Sequence, residues 1–304
     1  MKTASARTEL LQSAWRALRH KLVPPCGLAD CVHRHALWRW LGIRTPQVSL
    51  DGARYCLNPC LERALVKALP RGRFNSRRVQ GSHRIPLGLL LVSKNQLTTE
   101  QLRSALDAQR AAGRGRLGEW LRRLGFLGEP EITAALARQW SCPVLRDGSS
   151  LSRSRHFPQL PFALLESFAM LPVDYVAATS TLHLVFGEGV DHSVLYAIET
   201  MTGCHTEPCM ADSSFVRAHL EELAGHRSET EVVFEWNNND GADFSGIIRS
   251  YCARLRMDEI QLADCNGYLW ARLSRNLLPP VDLLMRTPPF PSFQFPASDR
   301  VLAV

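Results

Sequence analysis

Residues 86–109 read PLGLLLVSKNQLTTEQLRSALDAQ, and residues 116–139 read RLGEWLRRLGFLGEPEITAALARQ. Set side by side, the two stretches share Leu87/Leu117, Gly88/Gly118, Leu91/Leu121, Leu97/Leu127, Ala105/Ala135, Leu106/Leu136 and Gln109/Gln139, with Leu102/Ile132 a conservative match. In each copy LGxxL starts a short helix. It stops near Asn95 in the first copy and Gly125 in the second, residues that tolerate the left-handed backbone ending a helix. Thr98 followed by Gln101 is a capping-box pattern for the second helix. In the second copy Gly128 takes the cap position, Pro130 sits in the first turn and Glu131 is the box acid. Leu102, Ala105, Leu106 and Gln109 follow i, i+3, i+4, i+7 spacing, as do Ile132, Ala135, Leu136 and Gln139. Two tandem helical hairpins are expected.

The period changes on either side. Beyond the repeat, FALLESFAMLPVDYV reads as a short helix and a strand, TLHLVFGEG as a strand, SVLYAIETMTG as a helix ended by Gly203, HTEPCM as a strand and DSSFVRAHLEELAG as a capped helix. This predicts a small α/β sandwich. Before the repeat, PQVSLDGARYC is a hairpin with an Asp51-Gly52 turn, and LNPCLERALVKAL a helix with Asn58 as cap and Pro59 at its first position. After it, DFSGIIRSYCARL predicts a helix, and EIQLAD and YLWARLS a hairpin around Cys265-Asn266-Gly267. The expected class is α+β multidomain: a small α/β domain over 1–70, a basic linker over 71–84, the hairpins and sandwich over 85–225, a helix-plus-hairpin α+β domain over 231–286, and a proline-rich tail over 287–304.

The formal net charge of +7 permits an anionic partner without establishing one. Arg71, Arg73, Arg77, Arg78 and Arg84 cluster in the linker, where a solvated charge run is the plain reading. Leu11, Trp15, Leu18 and Leu22 share one helical face ringed by Arg16, Arg19 and Lys21, which suits packing on the protein or a partner as well as a membrane surface. No apolar run approaches the ~20 residues of a membrane helix, and the N-terminus lacks a signal-peptide core. Nine cysteines without such a signal point to reduced thiols and a cytoplasmic setting, with the inner face of a membrane compatible.

The repeated pair resembles the MshEN domain, the N-terminal domain of type II secretion and type IV pilus assembly ATPases (GspE-like). The stretch from LPVDYV to LEEL resembles the α/β half of that domain. The resemblance implies a fold for residues 85–225, a link to secretion or pilus assembly components, and cyclic di-GMP as a ligand. Cyclic di-GMP is two-fold symmetric, so two copies of one hairpin offer a half-site to each half. The residues implied are Leu87, Gly88, Leu102, Leu106 and Gln109 with Arg116, Leu117, Gly118, Ile132, Leu136 and Gln139. Arginine can stack on a base and pair with phosphate, and glutamine can donate and accept. The first copy departs from the pattern: Pro86 stands where the family has arginine, although Arg84 is nearby, and Asn95 replaces a glycine. A leucine stripe serving only as core is the competing reading.

No GxxxxGK[ST] loop occurs, so no ATP phosphate cradle is expected. Residues 243–286 weakly resemble the helix and hairpin that open such a motor. A non-catalytic regulatory or adaptor protein is the reading, and no catalytic constellation emerges around His183, His192 or His205. Cys26-x4-Cys31 and Cys56-x3-Cys60 have the layout of a treble-clef zinc site, one pair on a knuckle and one spanning strand end and helix start. His33 and His35 offer replacement ligands, and buried reduced cysteines are the alternative. A nucleic-acid-binding protein is the second functional reading. Against it, neither second hairpin helix is strongly basic: Gln101–Arg110 carries Arg103 and Arg110 against Asp107, and Glu131–Trp140 only Arg138 against Glu131.

Overall fold

The computed structural model describes residues 26–31, 47–69, 84–145, 159–225, 230–235, 241–276 and 278–287. The amphipathic segment around Trp15, the linker arginines Arg71, Arg73, Arg77 and Arg78, His33, His35 and the tail beyond Thr287 lie outside these. The chain divides into two units: residues 1–75, 232–262 and 267–304 form one, and residues 76–231 with 263–266 form the other.

In the second unit the repeat folds as α2 (Leu87–Ser93), α3 (Thr99–Ala112), α4 (Leu117–Arg123) and α5 (Glu129–Trp140). Asn95 and Gly125 both take positive φ after the first helix of their copy. The capping box is complete: Thr98 Oγ1 accepts from the Gln101 N–H at 3.1 Å, and Gln101 Oε1 accepts from the Thr98 N–H at 2.9 Å. Thr98→Ala removes one arm of this exchange. It is expected to destabilise the unit by about 1 kcal/mol, read as a lowered urea midpoint with unchanged slope. The copies interleave, since α2 packs on α5 and α3 on α4. Leu91 and Leu121, equivalent in the two copies, are both fully buried in one core with Leu97, Ala105, Ile132 and Ala135.

The same unit continues with α6 (Phe162–Ser167), β3 (Met170–Val176), β4 (Thr181–Phe186), α7 (His192–Thr202), β5 (His205–Met210) and α8 (Ser213–Ala224). β3 and β4 are antiparallel, and β4 and β5 are parallel. Asp191 caps α7 by accepting from the Ser193 N–H at 2.8 Å. On leaving α5 the chain bonds to β5, with the Leu145 N–H donating to the Met210 carbonyl at 2.7 Å.

The first unit holds β1 (Gln47–Leu50), β2 (Ala53–Cys56), α1 (Cys60–Ala68), α9 (Gly241–Leu255), β8 (Tyr268–Ser274), β9 (Val281–Arg286) and all of β6 (Glu231–Glu235) and β7 (Glu259–Cys265) but Glu231 and residues 263–265. Its sheet runs in the order β2-β1-β7-β8-β9-β6. Strands from residues 47–56 and from residues 231–286 thus share one sheet. β1 lies parallel to β7, with Ser49 opposite Glu259 and Leu50 opposite Ile260. One core joins Val48 and Leu50 to Leu61, Leu65, Phe244, Ile248, Leu269, Leu273 and Leu283. Burying a leucine such as Leu61 or Leu65 completely contributes about 1.5–3 kcal/mol. Asn58 does not cap α1. Pro59 occupies the cap position, and the Asn58 Oδ1 instead accepts from Arg249 Nη1 at 2.7 Å.

Candidate functional site

The repeat's glycines sit where the two copies cross. A Cβ on Gly88 would lie 2.6 Å from Leu102 Cδ1 and 3.2 Å from Leu117 Cδ2. A Cβ on Gly118 would lie 3.0 Å from Ile132 Cγ2 and 3.8 Å from Leu87 Cδ2. Equivalent neighbours thus crowd both positions, one from the same copy and one from the other.

The closing glutamines obey the same exchange. Gln109 Nε2 donates to the Gly115 carbonyl at 2.8 Å, just ahead of the second copy's first helix. Gln139 Nε2 donates to the Ile85 carbonyl at 2.8 Å, just ahead of the first copy's. Ile85 and Gly115 are equivalent positions, so each glutamine fastens the entry of the other copy. That accounts for a glutamine in line with the leucines: it reaches a carbonyl left open before a helix.

A cavity of about 340 Å³ opens between the second copy and the sandwich. Leu87, Arg116, Leu117, Gly118, Ile132 and Leu136 line it, with Gly187, Glu188, Ser213 and Arg217 from the sandwich. Six of the eleven residues implied by the repeat therefore meet there. Gly88, Leu102, Leu106, Gln109 and Gln139 are not among its lining. The apolar floor belongs to the interleaved leucines and Ile132. Its rim mixes Arg116, Arg122 and Arg217 with Glu119, Glu129 and Glu188. Arg116 Nε lies 3.2 Å from Glu188 Oε2, and its Nη1 donates to the Glu188 carbonyl at 3.0 Å. Both side chains are well exposed, so this pair is worth at most about 1 kcal/mol and yields readily to a competing anion. Glu188, Ser213 and Arg217 escape a reading of the repeat because they come from loop and helix ends remote in sequence.

Arg84, near the Pro86 that stands in place of the first arginine, packs on the sandwich side of the unit. Its guanidinium stacks on Trp140 at 3.6 Å from the ring centroid, and its Nη2 lies 2.9 Å from His192 Nε2. It is absent from the cavity lining. Burial, followed by the charge of Arg84, holds His192 below the usual histidine value. His183 and His205 each meet a carboxylate: His183 Nδ1 lies 3.5 Å from Glu207, and His205 Nδ1 3.2 Å from Glu199. The first pair follows from the parallel register of β4 and β5. Glu199 Oε1 also accepts from the Thr206 hydroxyl at 3.0 Å and from the Thr206 N–H at 2.8 Å, which fastens α7 to β5.

In the first unit Cys26, Cys31, Cys56 and Cys60 converge. Their sulfurs all lie within 4.8 Å of one another, and all four residues are buried. Cys56 ends β2 and Cys60 begins α1. At Cys26 burial opposes ionisation, but the N–H groups of Cys56 and Leu28 and the thiols of Cys31 and Cys60 outweigh it and hold the thiol below its usual value. Burial, with the thiols of Cys31 and Cys26, pushes Cys60 up.

No protein-family model and no curated protein matches the chain. Solved structures do. A structure of MshE with cdg is 29% identical over 46% of this chain and 99% of that one, with a TM-score of 0.38. The N-terminal domain of XpsE is 20% identical over 44% of this chain and 91% of its own, with a TM-score of 0.35. In another crystal form, I4122, the figures are 21%, 43%, 89% and 0.30. The structures to which this chain is similar are N-terminal domains of the GspE type, the kind its repeat resembles.

Proposed function

We propose that this chain is a non-catalytic regulatory or adaptor protein of a type II secretion or type IV pilus system, and that its repeat unit binds cyclic di-GMP. The observation that carries the reading is the meeting of Leu87, Arg116, Leu117, Gly118, Ile132 and Leu136 around one cavity beside two further arginines, Arg122 and Arg217. An apolar floor suits a guanine face, and the arginines suit a phosphate. The binding is lopsided: the second copy supplies Arg116, while the first has Pro86 in its place and an Arg84 committed to Trp140.

Calorimetric titration with cyclic di-GMP tests this. Charge-assisted contacts contribute about 1.5–3 kcal/mol, so Arg116→Ala should weaken binding about tenfold or more. Glu188→Gln removes the carboxylate that competes for Arg116 and should tighten binding. Pro86→Arg restores the missing cation and should tighten it too, with circular dichroism confirming that α2 still forms. If neither the wild type nor Pro86→Arg gives heat with millimolar nucleotide, the ligand assignment fails and the repeat is a scaffold.

A further inference from the structure

We propose that Cys26, Cys31, Cys56 and Cys60 hold one structural zinc ion as a closed tetrahedral set of four sulfur ligands. Zinc binds thiolate sulfur at ~2.3 Å, so two sulfurs on a tetrahedron stand about 3.8 Å apart. Cys31 Sγ and Cys56 Sγ are 3.8 Å apart, and every pair in the set lies within 4.8 Å.

Among the described residues the four cysteines form a buried cluster of their own, with Leu28 and Tyr55 partly buried against it. The backbone around them fits a metal knuckle. The Gly27 N–H donates to the Arg54 carbonyl at 2.7 Å, and the Cys31 N–H to the Leu28 carbonyl at 3.3 Å, closing a tight turn between the first two cysteines. A Cβ on Gly27 would lie 2.8 Å from the Tyr55 ring, so a larger residue there would have to displace the tyrosine that the turn packs on.

All-sulfur tetrahedral donors select zinc or iron among common metals, and a set without an open position is structural. On binding, Zn²⁺ replaces the thiol protons, which pass to solvent. The ion would tie the turn at residues 26–31 to the end of β2 and the start of α1. It would thereby set the helix that delivers Leu61 and Leu65 to the sheet core.

The test is metal analysis of the full chain purified without chelator or added metal. About one zinc per chain is expected. Cobalt loaded in its place should give the visible absorption of tetrahedral thiolate cobalt with intense sulfur-to-metal charge transfer. Cys60→Ser should lose most of the zinc, while Cys252→Ser, at a buried cysteine outside the cluster, should keep it. Should Cys60→Ser fail to fold, wild-type protein titrated with a mercurial still decides the matter, because zinc release should track modification of four thiols. The assignment is overturned by metal-free protein with residues 47–68 protected from hydrogen exchange, by iron as the resident metal, or by a mass four hydrogens low from two disulfides.

Discussion

Asp282→Ala is expected to destabilise the six-stranded unit by about 3–5 kcal/mol, the range for breaking a buried ion pair from one side. Asp282 and Arg272 face each other across β8 and β9. The guanidinium bonds both carboxylate oxygens, Nε to Oδ1 at 2.8 Å and Nη2 to Oδ2 at 2.9 Å, and the Trp270 indole N–H donates to Oδ1 at 2.8 Å. Each charged side chain is only 7% exposed. Truncating the acid removes three bonds and leaves a cation with far less compensation in a site water hardly reaches. The double variant Arg272→Met/Asp282→Leu should recover part of the loss, because it leaves no charge to desolvate, with the Trp270 N–H losing its acceptor as the remaining cost. Urea unfolding of the variants, with hydrogen exchange at β8 and β9 amides, measures both. A single variant within about 1 kcal/mol of wild type would mean that the pair is effectively hydrated.

Leu91→Ala and Leu121→Ala should each cost the repeat unit about 2–5 kcal/mol, the range for emptying a buried leucine site. The two residues are equivalent in the repeat, and both are wholly buried in the same cluster. A matched pair of penalties is therefore expected, and the double variant should depart from their sum because both cavities open into one core. Thermal unfolding followed by helical circular dichroism gives the comparison. Penalties differing by more than about 2 kcal/mol would show that one copy carries the core and the other only covers it.

The helices of the repeat were legible because their signals are local. Thr98 with Gln101, Asn95, Gly125, Gly128 and Pro130 each act within one turn, and each stands where its chemistry called for it. The Asp51-Gly52 hairpin was legible for the same reason. The sheet of the first unit was not. β6 and β9 carry no turn signal that pairs them, and the union of β1 with β7 depends on contacts no short window contains. Asn58 misled because the rule for caps sees its type and its proline, but not Arg249, which claims its side chain. At the candidate site the repeat supplied the floor of the cavity. Glu188, Ser213 and Arg217 on its rim belong to the sandwich, and only the tertiary fold brings them there. The commitment of Arg84 to Trp140 was hidden for the same reason.

The pairing of β1 with β7 also sets an order of events during translation. Ser49 and Leu50 emerge from the ribosome early, yet their partners Glu259 and Ile260 follow 210 residues later. At ~5–20 residues per second that is a wait of about 10–40 s. Within it, nearly the whole of the repeat and sandwich unit is synthesised, and its local contacts let it close first. Meanwhile the edge of β1 stays open to any passing strand, a standing invitation to misassembly. A nascent chain stalled after residue 231 should thus carry a protease-resistant repeat unit behind a protease-sensitive leading segment, and only completion of β7 to β9 gives that segment its sheet.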